Sequence, residues 1–164
     1  GLYVARLIHT NLAVANASAW QWWTAVSLNE DVPLWLQPME GSSGETVKYD
    51  GRVVTTKMFW ATANYSFFVR PGMRRVDVRA VDREVSPLEA ATSLMVSSYT
   101  DGAQVVTVIV NYADADKSIA LKCDNARKGK MYVTSIDKDL QYIGKHNLKS
   151  LTIPARSIVT VVVD

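Results

Sequence analysis

Three of the chain's five tryptophans, Trp20, Trp22 and Trp23, lie within the stretch Asn16–Ser27. Indole rings can bind sugars, because the apolar face of a pyranose packs against the face of an aromatic ring. On a β-strand side chains alternate, so Trp20 and Trp22 would share one face while Trp23 would share the other with Gln21. Large aromatic side chains are also common in protein cores. Two interpretations therefore stay open: a sugar platform and an ordinary core strand.

Other residue types that carry chemistry are too sparse or too poorly spaced to form a complete site. The chain has one cysteine, Cys123, and two distant histidines, which excludes an intrachain disulfide and makes a metal site improbable. Glycoside hydrolysis needs two carboxylates on either side of one bond. Glu30 and Asp31 are adjacent in sequence, and Asp114 and Asp116 fall in a turn-forming cluster. The sequence therefore predicts no catalytic residue, no metal site and no cofactor in this chain.

Composition narrows the class of protein further. The 164 residues are 48% hydrophobic and 21% charged, which is ordinary for one globular domain or slightly more. A net charge of +2 argues against a dedicated nucleic-acid binder. The longest apolar runs, such as Ile158–Val163, are too short to span a membrane. Two small basic clusters are interpreted as solvated turns: Arg70, Arg74 and Arg75, and Arg127, Lys128 and Lys130.

The hydrophobic pattern of the first part of the chain is typical of an α/β protein. Apolar residues at helical spacing predict a helix from Leu2 to about Ala15, ending at Asn16. His9 lies near this apolar stripe and is expected to be solvated or structurally hydrogen-bonded rather than a ligand or base. The uninterrupted run Ala17–Val26 then predicts a strand covered on both faces, as in a parallel sheet.

A long connection and a second helix follow the predicted strand. Prolines and the weak loop signal Gly41–Gly44 make Asn29–Asp50 irregular, a loop that is either functional or disordered. The next helix is expected over Thr55–Arg70, with Thr55 or Thr56 as its N-cap. Its apolar residues cover more than half of the circumference, which predicts that it is covered on more than one side.

From Met73 onward the pattern becomes that of a β protein. Strict alternation predicts a half-buried strand over Arg75–Val81. Asp101 and Gly102 give a hairpin signal. Six further strands are predicted over Ser93–Tyr99, Gln104–Tyr112, Ser118–Cys123, Met131–Ile136, Leu148–Ile153 and Ser157–Val163. Seven strands at this spacing predict an antiparallel β-sandwich over residues 73–164, preceded by an α/β unit over residues 1–72.

Several stretches resemble glycoside hydrolase family 30. Ala5–His9 together with Val14–Trp23 resembles the region of the last barrel strand in that family. Thr56–Met73 looks like the final barrel helix and the exit into the side domain, and Ile153–Thr160 is similar to the last strand pair of the sandwich. The form of Ala17–Trp23 is similar to the branch that cleaves β-1,6-linked galactans or glucans.

This resemblance implies a (β/α)8 barrel with an attached β-sandwich. The chain would supply barrel helix 7, strand 8 and helix 8, and nearly all of the sandwich. The two glutamates of the family's retaining mechanism would lie upstream of Gly1, so this sequence does not contain them. Trp20 best matches the family's strand-8 tryptophan, Trp22 is a same-face candidate for substrate binding, and the loop from Asn29 would form part of the cleft wall.

The leading hypothesis is thus the C-terminal part of a secreted or periplasmic retaining endo-β-glycanase that acts on a polysaccharide or oligosaccharide. Its partner would be the missing N-terminal barrel portion. In its absence, residues 1–70 are expected to dock on the sandwich of the same chain or to self-associate. The alternative is a non-catalytic carbohydrate-binding or structural β-sandwich. Four tyrosines bear on that alternative and are interpreted as half-buried strand residues without a shared motif: Tyr99, Tyr112, Tyr132 and Tyr142.

Overall fold

A computed structural model describes residues 1–39, 51–81, 84–123 and 126–164. The helices are α1 (Leu2–His9), which continues as a π-helical segment (Thr10–Val14), α2 (Lys57–Ser66) and α3 (Pro87–Ala91). The strands are β1 (Val26–Ser27), β2 (Leu34–Pro38), β3 (Gly51–Thr55), β4 (Arg74–Val76), β5 (Leu94–Thr100), β6 (Val105–Asn111), β7 (Lys117–Ile119), β8 (Lys128–Thr134), β9 (Gln141–Asn147), β10 (Leu151–Ile153) and β11 (Ser157–Val163). The loop signal Gly41–Gly44 lies outside the described residues.

The two long helices form where the apolar spacing predicts them. The first ends at Asn16, which adopts a left-handed φ of 57° that asparagine tolerates better than most residues. Thr56 caps α2, since its hydroxyl oxygen accepts a hydrogen bond from the backbone N–H of Met58 at 3.2 Å. The apolar stripe of α1 places Val4 and Ile8 in the core.

The prediction of a buried strand over Ala17–Val26 is wrong in this structure. Regular pairing begins only at Val26, which lies opposite Leu34 in a two-residue parallel ladder. None of the described residues pairs with Trp20–Trp23 in a sheet. The physical reason is that a strand persists only where a neighbouring strand satisfies its backbone groups.

The connection after the tryptophans is more regular than the sequence suggested. β2 and β3 form an antiparallel hairpin, with Leu34 opposite Thr55 and Pro38 opposite Gly51. The hairpin is attached to the start of α2, because the Thr56 hydroxyl donates to the carbonyl oxygen of Val32 at 2.7 Å. The interpretation of Asn29–Asp50 as wholly irregular is therefore wrong for the part that the structure describes.

Six strands form one antiparallel sheet in the order β4-β5-β6-β11-β8-β9. Its centre is the β-branched pair β6 and β11, registered from Ser157 opposite Asn111 to Val163 opposite Val105. The Asp101-Gly102 turn joins β5 to β6, as predicted, and the Asp101 carboxylate accepts from the backbone N–H groups of Ala103 and Gln104.

The two faces of this sheet are covered by different elements. Val106, Val108 and Val162 belong to the core cluster that contains α1 and α2. Ile109, Val159 and Val161 belong to a second cluster with Leu151 and Ile153 of β10, which pairs antiparallel with β7. The mainly β fold with antiparallel sheets confirms the predicted fold class.

Three details of the β region differ from the sequence prediction. Only Arg75 and Val76 of the alternating run Arg75–Val81 lie in a strand, β4, and all three residues of β4 are exposed rather than half-buried. β9 (Gln141–Asn147) and the short helix α3 were not predicted. β9 is polar and carries Gly144 at a φ of 108°, features that weaken a strand pattern, and it forms as the edge partner of β8.

A buried polar joint fixes α2 on the sheet. The Asn64 side-chain amide donates to the hydroxyl of Thr134 at 2.6 Å and to the carbonyl oxygen of Trp60 at 2.8 Å. The Thr160 hydroxyl hydrogen-bonds to the backbone and side-chain oxygens of Asn64 at 2.9 and 3.0 Å. Residues of α1 and α2 thus dock on the sheet of the same chain, one of the two outcomes expected for residues 1–70; self-association stays a prediction.

Candidate functional site

The tryptophan segment, defined here as residues 16–25, leaves the end of the first helix and leads into β1. The Asn16 side-chain oxygen accepts a hydrogen bond from Arg75 at 3.3 Å, which ties the start of the segment to β4. The Trp20 and Trp22 rings stack with centroids 6.0 Å apart and planes at 29°. The structure therefore brings together the two predicted site residues, although the segment is not a regular strand.

Trp20 and Trp22 are half-buried and pack against the core cluster of the helix-covered face. Partial burial fits both interpretations of these residues. Their contact with the core is expected of core residues, and the part that stays accessible is what a sugar platform needs. Trp23 differs completely, with 95% of its surface exposed. An indole this exposed next to a supported aromatic pair is the strongest candidate for a binding contact in the described residues.

The hairpin of β2 and β3 stands directly beyond the tryptophan segment along the chain. β1 pairs with β2 in parallel, so Ser27 lies opposite Trp35. The Trp35 indole N–H donates to the carbonyl oxygen of Leu28 at 3.0 Å, which fixes the connection between the two strands. The hairpin can thus form a wall next to the segment, and that role of the chain from Asn29 onward stays a prediction.

The carboxylates singled out from the sequence do not form an acid–base pair. Glu30 and Asp31 are both exposed in the connection after β1. Asp116 accepts from the backbone N–H of Ala155 at 2.8 Å, which is the turn-stabilising role expected of such a residue. Asp114 lies 3.7 Å from the guanidinium of Arg156 at a solvent-exposed ion pair.

Burial contradicts the expectation that His9 is solvated, and the alternative expectation of a structural hydrogen bond is not met at Nδ1. The residue is buried, and its Nδ1 has no hydrogen-bond partner among the described residues. Burial disfavours the charged imidazolium and lowers the pKa of His9 to about 4. The ring is therefore neutral at pH 7.

A cavity of about 830 Å³ is lined by none of the three tryptophans of the tryptophan segment. It opens between residues 75–81 and 85–90 on one side and the sheet on the other, beside His9, Leu94, Val96 and Ile119. Its walls are mostly aliphatic and carry no indole. The cavity does not have the exposed aromatic faces that a pyranose ring needs for stacking, so we place the candidate site at the tryptophans.

The protein is mainly β, with two helices packed on its central sheet and an exposed aromatic segment after the first helix. Residues 1–31 match the family model for O-glycosyl hydrolase family 30. None of the helices in the described part of the chain is long and apolar enough to cross a membrane.

Solved structures extend the similarity to the whole chain. A conserved exported protein from Bacteroides fragilis is 62% identical, with a TM-score of 0.96 over 99% of this chain and 33% of its own length. The family 30 subfamily 8 xylanase Xyn30A from Clostridium acetobutylicum is 21% identical, with a TM-score of 0.72 over 99% of this chain and 38% of its own. A family 30 endoxylanase from Clostridium papyrosolvens is 22% identical, with a TM-score of 0.68 over 98% and 37%. No curated protein matches the chain.

The chain is thus similar to the C-terminal part of family 30 glycoside hydrolases, and the resemblance stated from the sequence is confirmed. It spans about a third of the length of these solved relatives. The xylanases share the fold with this chain, and at this level of identity the fold alone is shown. The galactan or glucan preference inferred from Ala17–Trp23 stays a prediction.

Sequence reasoning did not select Trp23, the most exposed indole in the described residues. Strict alternation put it on the face opposite Trp20 and Trp22, where a covered strand would bury it. The signal that could have found it is the adjacency of Trp22 and Trp23, because two neighbouring side chains on an extended segment point to opposite sides. One of them then faces away from the core whichever side is packed.

Proposed function

We propose that the chain is the C-terminal part of a retaining glycoside hydrolase that acts on a β-linked polysaccharide and is secreted or periplasmic. Residues 1–72 would complete a catalytic barrel, and residues 73–164 would form its accessory sandwich. The chain would contribute part of the substrate cleft. The catalytic glutamates would come from the portion of the barrel that lies upstream in the longer protein.

The observation that carries this proposal is the exposure of Trp23 beside the stacked pair of Trp20 and Trp22. All three lie within residues 1–31, the range that the family model matches. A protein that buries so much apolar surface elsewhere gains nothing in stability from an indole left in water. The upstream barrel portion or a ligand with an apolar face would supply the missing contact, and the kinetic effect of Trp23→Ala distinguishes the two.

The three indoles have different proposed parts in binding. Trp20 and Trp22 would form the supported wall of the cleft, because they rest on the core and their planes are nearly aligned. Trp23 would pack on the opposite side of a sugar ring or on the next unit of the chain. Such stacking positions the substrate but performs no acid–base chemistry, since an indole N–H is a donor only.

Two groups of polysaccharide are the candidate substrates: β-1,6-linked galactan or glucan, and xylan. The form of Ala17–Trp23 favours a β-1,6-linked galactan or glucan. The relatives from Clostridium with the same fold are named as xylanases. Activity assays should therefore include β-1,6-galactan, β-1,6-glucan and xylan.

The test is a comparison of tryptophan variants in the full-length protein that carries this chain. Trp23→Ala and Trp20→Ala should each lower kcat/KM by about tenfold or more, which corresponds to about 1.4 kcal/mol of lost transition-state binding. Phe67→Ala is the matched control, because Phe67 is also a largely exposed aromatic residue, at 69%, but lies at the end of α2. Unchanged kcat/KM in both tryptophan variants would contradict the placement of the cleft.

A further inference from the structure

The second aromatic group lies on the six-stranded sheet, at the strand pair β8 and β9. Tyr132 and Tyr142 are directly opposite each other across this pair, with ring centroids 5.2 Å apart and planes at 43°. Phe68 packs on the other side of Tyr132 at 4.6 Å. Tyr132 is therefore held between two rings, while Tyr142 at the sheet edge is 52% exposed. The two tyrosines that looked unrelated in the sequence form one supported aromatic surface.

Basic side chains continue this surface along the same strands. Lys128, Lys130 and Tyr132 alternate along β8, so they share the face that bears α2, whereas Met131 and Val133 point into the second core cluster. Lys145 of β9 lies directly opposite Lys130. Like charges at opposite cross-strand positions repel each other, which destabilises the pair unless an anion lies nearby.

One carboxylate on this face lies against Lys130. The Asp164 carboxylate bonds the Lys130 ammonium at 2.6 Å and also accepts from the Gln104 side chain at 3.1 Å. The hydrogen bond from Lys130 is the main cause that holds the pKa of Asp164 below its usual value, with smaller help from Gln104 and the charge of Lys145. Asp164 can balance one of the three lysines, so the face is positive overall.

We propose that the surface formed by Lys128, Lys130, Tyr132, Tyr142 and Lys145, here called the Tyr-Lys face, binds an acidic polysaccharide. A sugar ring would pack on the exposed ring of Tyr142, which Tyr132 supports from behind. Carboxylates of uronic acid units would pair with the ammonium groups of Lys128 and Lys145. This inference is independent of the proposed hydrolase activity, since it uses no residue of the tryptophan segment.

Charge and aromatic contact together select this ligand class. Neutral sugars would use Tyr142 but would bring no carboxylate to the ammonium groups of Lys128 and Lys145, which form no ion pair with the described residues, whereas Lys130 is already paired with Asp164. A nonspecific polyanion would use the lysines but would gain nothing from the ring. An acidic glycan would use both the tyrosine ring and the lysines. Loss of binding on removal of either one therefore distinguishes it from a neutral sugar and from a nonspecific polyanion.

The test measures binding of the full-length protein that carries this chain to polygalacturonate by affinity electrophoresis and calorimetry, with fully methyl-esterified polygalacturonate as the neutral form of the same sugar chain. Glucuronic-acid-substituted xylan and its carboxyl-reduced form provide a second matched pair. We expect binding to at least one acidic polymer and weakening by about fivefold or more for its neutral form, the scale of one charge-assisted contact. High ionic strength should weaken binding as well, because surface charges are screened.

Variants separate the two contributions. Tyr142→Ala and the double change Lys128→Gln with Lys145→Gln should each weaken acidic-polymer binding by about fivefold. Tyr3→Ala and Lys149→Gln are matched controls, because Tyr3 is 55% exposed on α1 and Lys149 is exposed in the turn after β9. Tyr142→Phe should bind almost as the parent does, since the ring face is retained.

Three results would overturn the proposal. The first is no retardation by either acidic polymer. The second is equal binding of the acidic and neutral forms. The third is full binding by a correctly folded Tyr142→Ala variant, which would reduce the interaction to nonspecific attraction between charges. Circular dichroism of each variant shows whether the sheet is intact, and the edge position of Tyr142 makes that variant the least disruptive of the set.

Discussion

The helix-covered face of the sheet and the tryptophan segment differ in how far their apolar side chains are buried and their backbone and side-chain polar groups are paired. On the sheet face, the Asn64 amide finds hydrogen-bond partners on α2 and β8, and Val106, Val108 and Val162 are at most 5% exposed. In the tryptophan segment, Trp23 is left 95% exposed and the backbone of Trp20–Trp23 pairs with no described strand. Both regions are rich in apolar residues, and only the first meets its partners inside this chain.

The difference shows that amino-acid composition alone does not decide whether an apolar side chain is buried. Burial also requires neighbouring strands or helices that pack against it. Each strand of the six-stranded sheet lies against at least one neighbour that satisfies its hydrogen bonds. The tryptophan segment has the amino acids of a covered strand without the neighbouring strands. Its exposed indole is then available for a ligand or for a partner surface. Three stability measurements test this contrast.

Asn64→Ala should lower the free energy of unfolding by about 3 kcal/mol, because it removes the buried amide that bonds the hydroxyls of Thr134 and Thr160 and leaves them only their bonds to backbone groups. The measurement is equilibrium denaturation in urea. Asn11→Ala is the matched control, since Asn11 also donates to a carbonyl oxygen four residues earlier in its helix, Leu7, at 2.8 Å. Asn11 makes no side-chain hydrogen bond to the sheet among the described residues, so its change should cost under about 1 kcal/mol. Equal losses in both variants would show that the joint between α2 and the sheet contributes little.

His9 should make the helix-covered face sensitive to acid. Its pKa is about 4 in the folded chain and about 6.5 when unfolded. The unfolded state therefore binds the proton more readily, and stability that is complete above pH 6.5 is lost as the pH falls toward 4. The loss attributable to His9 should reach about 2 kcal/mol by pH 4.5.

The readout is the difference in unfolding free energy between pH 7 and pH 4.5 for the parent and for His9→Leu. The variant should show a smaller difference, whatever its stability at pH 7. His146→Gln controls for the removal of a histidine, because His146 lies on the edge strand β9 and is only half-buried. The surroundings of His9 include Arg75, Asp77 and Glu89 at the adjoining cavity, which both proteins retain. Identical pH dependence in the parent and His9→Leu would contradict the burial argument.

Within the tryptophan segment, Trp20→Ala should cost about 2 kcal/mol of stability, because the ring packs on Trp22 and the core. Trp23→Ala should change it by no more than about 0.5 kcal/mol, as for other exposed positions. Thermal or urea unfolding of both variants measures the contrast. A large loss for Trp23→Ala would mean that its indole is packed in solution, by self-association of residues 1–70 or otherwise, and the concentration dependence of unfolding would then identify association.

Local patterns gave the helices and most strands correctly, because each depends on near neighbours in the sequence. The apolar stripe of Leu2–His9, the Thr56 cap and the β-branched runs of β6 and β11 are of this kind. The patterns failed where pairing decides the state. Arg75–Val81 alternates well, but only its first two residues, Arg75 and Val76, pair with β5, and polar β9 forms because it pairs with the edge of β8.

The candidate sites show the same division. The sequence placed Trp20 and Trp22 together, and the structure stacks them, although the strand from which this was argued is absent from Ala17–Ala25. The exposure of Trp23 and the meeting of Tyr132 with Tyr142 were not accessible to local reasoning. Both depend on contacts, or on their absence, between residues that are far apart in the sequence.

The mainly β class, the order of most elements and the resemblance to family 30 follow from the sequence, because periodicity and motifs are properties of neighbouring residues. Which aromatic rings are packed and which are exposed to water depends on the tertiary structure. Burial depends on contacts between distant segments, such as Phe68 with Tyr132, and no local pattern contains that information.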